Sequence, residues 1–182
     1  MNIDINQLAR ESERLVIDAD ALIDKASKLI TPPLFDTGGH ITGGAALALI
    51  TNTSTFGDID FFFEHEVNFN KAHNICASRS FTRRIHLCLV GHTPVFERFD
   101  LTANMCSISK EGVFIDRRCV NTIENGLCRV LHENVIKPSR TLKRIQKYRN
   151  RGYFIPEADA LPLFSQITVE AEERGRWGHR SC

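Results

Sequence analysis

Two aspartates separated by one residue, Asp58 and Asp60, stand at the head of the run Gly57-Asp58-Ile59-Asp60-Phe61-Phe62-Phe63. The apolar residues around them read as a buried strand. Successive strand side chains point to opposite faces, so Asp58 and Asp60 are expected on one face, with Ile59 and Phe61 on the other. Two carboxylates on a stiff strand make a hard-oxygen site for Mg²⁺ or Mn²⁺. Upstream lies Thr42-Gly43-Gly44-Ala45-Ala46-Leu47-Ala48-Leu49-Ile50, which reads as a glycine pair opening a helix. Bare backbone N–H groups at a helix N-terminus suit a phosphate. A tight strand-to-helix turn with φ > 0 also uses glycine without any ligand, so Gly43 and Gly44 have two readings. Gly38-Gly39 is the competing pair, but no helical pattern starts directly after it. A phosphate cradle beside paired metal carboxylates is equipment for moving a nucleotide.

The elements that must hold these groups follow from periodicity. Residues 6–30 have helical spacing, with Leu15, Ala19, Leu22, Ile23, Ala26, Leu29 and Ile30 on one stripe, and Pro32-Pro33 ends that helix. A strand at 40–42, the glycine turn and a helix at 45–50 come next. A strand is expected at 59–63, a helix at 70–80 and a strand at 84–90, where Ile85, Leu87 and Leu89 alternate. Residues 94–106 contain another strand, 112–116 a hairpin arm and 123–127 a short segment. Ser139 is the expected N-cap of a helix over 140–150, and Gly152 its stop. The polar tail from 171 onward is expected to lack order. The chain thus divides into an N-terminal helical segment (1–33), a core with a basic helix (34–156) and a C-terminal tail (157–182).

Composition narrows the class. The chain has 182 residues, 42% apolar and 25% charged, as in an ordinary globular protein. No apolar run is long enough to span a bilayer, and the acidic start is not a signal peptide, so a cytoplasmic protein with no membrane partner is expected. The six cysteines form no C-x-x-C pair and read as reduced core thiols. His86 and Cys88 have no second ligand pair at zinc-site spacing. Residues 137–151 carry seven basic side chains (Lys137, Arg140, Lys143, Arg144, Lys147, Arg149, Arg151) and no acid. Against a total of +1, the remainder sums to −6. This points to a polyanionic partner, or to a solvated helix face.

The Gly-Gly turn, short helix and Gly-Asp-Ile-Asp strand resemble the signature of the DNA polymerase beta-type nucleotidyltransferase superfamily. Its members include tRNA nucleotidyltransferases, poly(A) polymerases, aminoglycoside nucleotidyltransferases and small antitoxin-type transferases. The resemblance covers residues 35–155. It implies an α/β (α+β) fold, a small mixed sheet flanked by helices. It also implies metal-dependent transfer of a nucleoside monophosphate from a triphosphate such as ATP to a hydroxyl. An RNA 3′ end of tRNA type fits the basic helix. The alternatives are an antitoxin-type transferase that nucleotidylates a partner protein, a small-molecule acceptor, or a non-catalytic nucleotide- or RNA-binding module.

Holding two metal ions takes help from a third carboxylate, which the resemblance places on a later strand. In 95–102, alternation puts Phe96, Arg98, Asp100 and Thr102 on one face. Asp100 is therefore expected to complete the catalytic and metal-binding set Asp58, Asp60 and Asp100. Asp116 is the fallback, and an ion pair to Arg98 or a lysine the competing role for Asp100. Gly43 and Gly44 are expected to hold the β- and γ-phosphates. Arg140, Arg144, Lys147 and Arg151 fall on one helical stripe, and Arg144 and Lys147 are assigned to the nucleotide. Tyr148 and Tyr153 are candidates to stack on bases, and Phe154 reads as a core aromatic. The chain also departs from tRNA nucleotidyltransferases. Ala45-Ala46-Leu47 stands where they have Val-Arg-Asp after the glycines. Arg98-Phe99-Asp100-Leu101-Thr102 only loosely echoes their Arg-Arg-Asp-Phe-Thr, and their Glu-Asp-x-x-Arg element is absent.

Overall fold

The strand Ile59–Phe63 buries Ile59, Phe61 and Phe63 on one side and leaves Asp60 and Phe62 half-buried on the other, as its alternation requires. In the computed structural model, which describes residues 2–4, 18–53, 56–91 and 95–178, this strand lies near one edge of a six-stranded sheet. The strands are β1 (Asn2–Asp4), β2 (His40–Thr42), β3 (Ile59–Phe63), β4 (Ile85–Leu89), β5 (Cys106–Ser109) and β6 (Gly112–Asp116), in the spatial order β1-β6-β5-β2-β3-β4. Only β3 and β4 run parallel, and the helix α4 (Glu66–Ala77) provides the crossover that a parallel pair needs.

Helices cover the sheet. In α1 (Ala19–Ile30), Asp18 caps the N-terminus by accepting from the Ala21 amide, and Leu22, Ala26 and Ile30 form the buried stripe. The part of the expected helix at 6–17 lies outside the described residues. Pro32 ends α1 and opens the short α2 (Pro32–Phe35). Helix α3 (Gly43–Ile50) follows β2 without a gap, and α5 (Arg117–Asn125), α6 (Pro138–Arg149) and α7 (Glu157–Gly178) complete the chain. One apolar core runs from Leu22 and Ile30 through Ile41, Phe61 and Ile108 to Tyr148 and Leu163, so the N-terminal segment, the middle and α7 all contribute to it. Gly39 is part of that packing. A Cβ there would lie 2.6 Å from Phe61 and 2.7 Å from Phe63, which gives Gly39 a packing role, while Gly38 turns the chain with φ +82 beside Asn68.

Several expectations are corrected. Within the expected strand at 94–106, residues 95–105 form no strand before Cys106, and 94 lies outside the described residues. Val95–Arg98 and Thr102–Asn104 are 3₁₀ turns, closed by i→i−3 bonds from the Phe99 amide to the Phe96 carbonyl and from the Asn104 and Met105 amides to the Leu101 and Thr102 carbonyls, with a single bridge of Leu101 to Val130 between the turns. Residues 123–127 belong largely to α5, which Asp116 caps. Helix α4 starts at Glu66, a turn earlier than expected, with its acid at the positive helix end. Lys137, not Ser139, is the N-cap of α6, with Pro138 at the first helical position. The expected disordered tail is helical through Gly178, while 179–182 lie outside the described residues.

Candidate active site

The strand register sets the site. His86, Asp60, Thr42 and Ser107 stand opposite one another on β4, β3, β2 and β5, so their side chains share one face. Asp60 is half-buried, and its Oδ1 lies 3.4 Å from Nδ1 of His86. Asp58 precedes β3 in an exposed bend.

The chain leaves this row at Thr42 and enters α3 through the two glycines. Gly43 has φ +63, and a Cβ there would sit 3.5 Å from Asn104 Oδ1 and 3.8 Å from Asp60 Oδ2. At Gly44 the neighbours are Arg151 Nη1 at 2.9 Å and Tyr148 Oη at 3.3 Å. Gly43 is therefore required by conformation, whereas at Gly44 a Cβ would push aside the outer end of the Arg151 side chain. The first turn of α3 points unpaired amides toward this space, and the helix dipole adds partial positive charge. Thr42, the N-cap, makes no side-chain capping bond; it is fully buried, and its Oγ1 has no hydrogen-bond partner.

Asp100 is not part of this row. It is 3% exposed; its Oδ2 accepts from Thr141 Oγ1 at 2.6 Å and from Arg144 Nη1 at 2.7 Å, and its Oδ1 is buried without a partner. Among the described residues, no three His, Cys, Asp or Glu side chains gather in an arrangement that would hold a metal ion. The expected trio of Asp58, Asp60 and Asp100 is therefore not assembled. The strand alternation that aimed Asp100 at the metal does not exist there, and the buried carboxylate instead ties α6 to the 3₁₀ segment. Its ion-pair partner is Arg144, whereas Arg98 donates to the Val90 carbonyl. Asp116, the fallback, caps α5 and pairs with Arg118.

Arg144 is thus held by Asp100. It lines a cavity of about 150 Å³ together with Arg98, Asn134, Lys137 and Arg140. Lys147 is exposed one turn further along α6. The aromatic assignments reverse: Phe154 is 65% exposed, whereas Tyr148 is 3% exposed, a core residue that donates its hydroxyl proton to Asn104 Oδ1. Burial pushes the Tyr148 phenol well above its ordinary value, so it stays a donor. Asn104 carries no signal in the sequence. Arg151 is visible there as one of four basic residues on a helical stripe, with nothing to set it apart from Arg144 and Lys147. Cys106, Cys119 and Cys128 are buried free thiols, and burial pushes Cys128 up to about 11.

A divalent cation is the group that such chemistry implies. Mg²⁺ is commonly held by one or two carboxylates together with substrate phosphates, not by a full protein cage. Asp60, with Asp58 two residues before it, beside an anion-type turn and the unpartnered Thr42 hydroxyl, fits that mode of binding.

No family model and no curated protein matches the sequence. A search of solved structures finds "The complex structure of CCA-adding enzyme with CTP", at a TM-score of 0.59 and 19% identity. The match covers 93% of this chain and 46% of that one. The fold is a nucleotidyltransferase fold. At this identity the likeness carries the architecture alone, and the chain spans about half the length of that enzyme. No helix among the described residues is long and apolar enough to cross a membrane.

Proposed function

We propose that the protein is a metal-dependent nucleotidyltransferase, with 34–156 as its catalytic core and an RNA 3′ hydroxyl as acceptor. The observation that carries this reading is the closeness of the Gly43 turn to the Asp60 carboxylate, within 3.8 Å of a Cβ position. An anion cradle and a hard-oxygen ligand then share one opening. The fold likeness to a CCA-adding enzyme solved with CTP supports the same class.

In this reading the amides at the start of α3 hold the β- and γ-phosphates, which leaves the α-phosphate toward Asp60. Asp58 and Asp60 hold the divalent cation, which when bound stabilises charge on the phosphoryl oxygens. The acceptor hydroxyl gives up its proton to water, its oxygen forms a bond to the α-phosphorus, the bond to the bridging oxygen breaks, and pyrophosphate leaves. Holding the reactants in line supplies much of the rate. The basic segment at 137–151 favours RNA over a protein acceptor.

The test is incubation of the full chain with each α-labelled triphosphate, Mg²⁺ or Mn²⁺, and either total RNA or a cell lysate. Label on RNA, absent with EDTA, is expected. Label on protein would move the acceptor assignment to the protein-modifying alternative. Nucleotide binding with no labelled product in any arm would overturn transfer.

A further inference from the structure

Helix α3 reads Gly-Gly-Ala-Ala-Leu-Ala-Leu-Ile and contains no charged side chain. Its amides and dipole supply only partial positive charge, whereas a nucleoside triphosphate carries several negative charges at its β and γ groups. Any positive side chain that joins the divalent cation in balancing that charge has to come from another element. A full positive charge stands at this turn. Arg151, in the turn after α6, places Nη1 2.9 Å from the Cβ position of Gly44.

The position of Arg151 is built. Its guanidinium lies over the Tyr148 ring, 5.5 Å from the centroid. Tyr148 is fixed by its bond to Asn104, which in turn adjoins Gly43. Among the described residues no carboxylate pairs with Arg151, whereas Arg118, Arg129 and Arg144 are each held by an acid. A second group at the same turn also lacks a partner: the buried Thr42 Oγ1. A cation without a counter-ion and a hydroxyl without a partner, both at the start of one helix, call for an anion with several oxygens.

We infer that Arg151 and the Gly43–Gly44 start of α3 form a polyphosphate clamp, with the α6 turn acting as the second jaw on the β- and γ-phosphates. This rests on the nucleotidyltransferase reading and deepens it. It moves the main nucleotide-binding cation from Arg144, which Asp100 engages, to Arg151. The fork of Arg151 suits two phosphate oxygens at once.

The experiment is calorimetric binding of inorganic tripolyphosphate, ATP and AMP to the full chain in metal-free buffer. It compares wild type, Arg151→Gln, and Arg79→Gln as an exposed arginine of equal charge. Arg151→Gln should weaken tripolyphosphate and ATP about tenfold or more, the loss of a charge-assisted pair, and leave AMP within about twofold. Arg79→Gln should leave all three unchanged. Gly44→Ala, whose methyl group would displace the guanidinium, should weaken ATP in the wild-type background and add little to Arg151→Gln. Equal effects of the two arginine changes, equal losses of ATP and AMP, additive effects of Gly44→Ala and Arg151→Gln, or no tripolyphosphate binding by wild type would each overturn the clamp. The two readings separate cleanly. Arg151-dependent polyphosphate binding without any nucleotide transfer would keep the clamp and remove the transfer reading. Transfer with unchanged ATP affinity in Arg151→Gln would do the reverse.

Discussion

The hydroxyl of Tyr148 donates to Oδ1 of Asn104, 44 residues away in the chain, and so joins the basic helix α6 to the segment beside the glycine turn. Both residues are buried. Tyr148→Phe keeps the ring and leaves the Asn104 oxygen unpaired, which should cost about 1–3 kcal/mol. Chemical denaturation should show the loss. ATP affinity should fall with it, because the ring that lies under Arg151 is no longer fixed by its bond to Asn104. An unchanged denaturation midpoint would show that the bond contributes nothing to stability.

Asp58→Ala and Asp60→Ala should each abolish metal-dependent transfer, since loss of a metal ligand raises the barrier by about several kcal/mol. Melting temperature should barely move, because both side chains are at least partly solvent-exposed. Full turnover in either variant would remove that residue from the site.

Asp100 has a different expected phenotype. Asp100→Ala leaves Arg144 and Thr141 without their acceptor, and breaking a buried pair costs about 3–5 kcal/mol. The loss should fall at or below the lower end, because Arg144 is one-third exposed. Urea unfolding should show a lower midpoint, while Mn²⁺ affinity measured by electron paramagnetic resonance stays as in wild type. Loss of Mn²⁺ binding with normal stability would restore Asp100 to the metal site.

Acid should loosen the α7 packing. Burial pushes the Asp159 carboxyl up, but hydrogen bonds from Arg129 and the Val130 amide outweigh it and hold the group below its ordinary value. A depressed folded value stabilises the protein above the unfolded carboxylate range and loses that contribution as pH falls through the folded value. Stability should therefore drop below about pH 4, the ordinary carboxylate value. Asp159→Asn should be less stable at neutral pH and show a flatter acid dependence in urea titrations.

The basic helix is best tested at Arg140 and Lys147, since reversing Arg144 would break its pair with Asp100. Each RNA phosphate that is no longer neutralised should flatten the slope of log affinity against log salt by about 0.7 for a single strand. Arg140→Glu with Lys147→Glu should weaken RNA binding and flatten that slope, with melting unchanged. Unaltered RNA affinity would make this a solvated face and point to a protein or small-molecule acceptor.

Where a pattern is local, the sequence alone was enough. The alternation around Asp60 specified β3 and its buried face, because strand side chains repeat every two residues and a slip would put Phe61 and Phe63 in water. The Gly43–Gly44 turn was legible because a positive φ and a missing Cβ leave few choices of residue. The segment 95–104 was not legible. Its alternation fits a strand, but it finds a sheet-type partner only at Leu101, opposite Val130, and i→i−3 bonds close 3₁₀ turns on either side. A local period states which residues turn inward and not what they meet. For that reason only the tertiary structure paired Asp100 with Arg144 and Tyr148 with Asn104. It also brought Arg151 to Gly44, since a chain that returns to itself after a hundred residues is positioned by the shared core and not by the pattern of its neighbours.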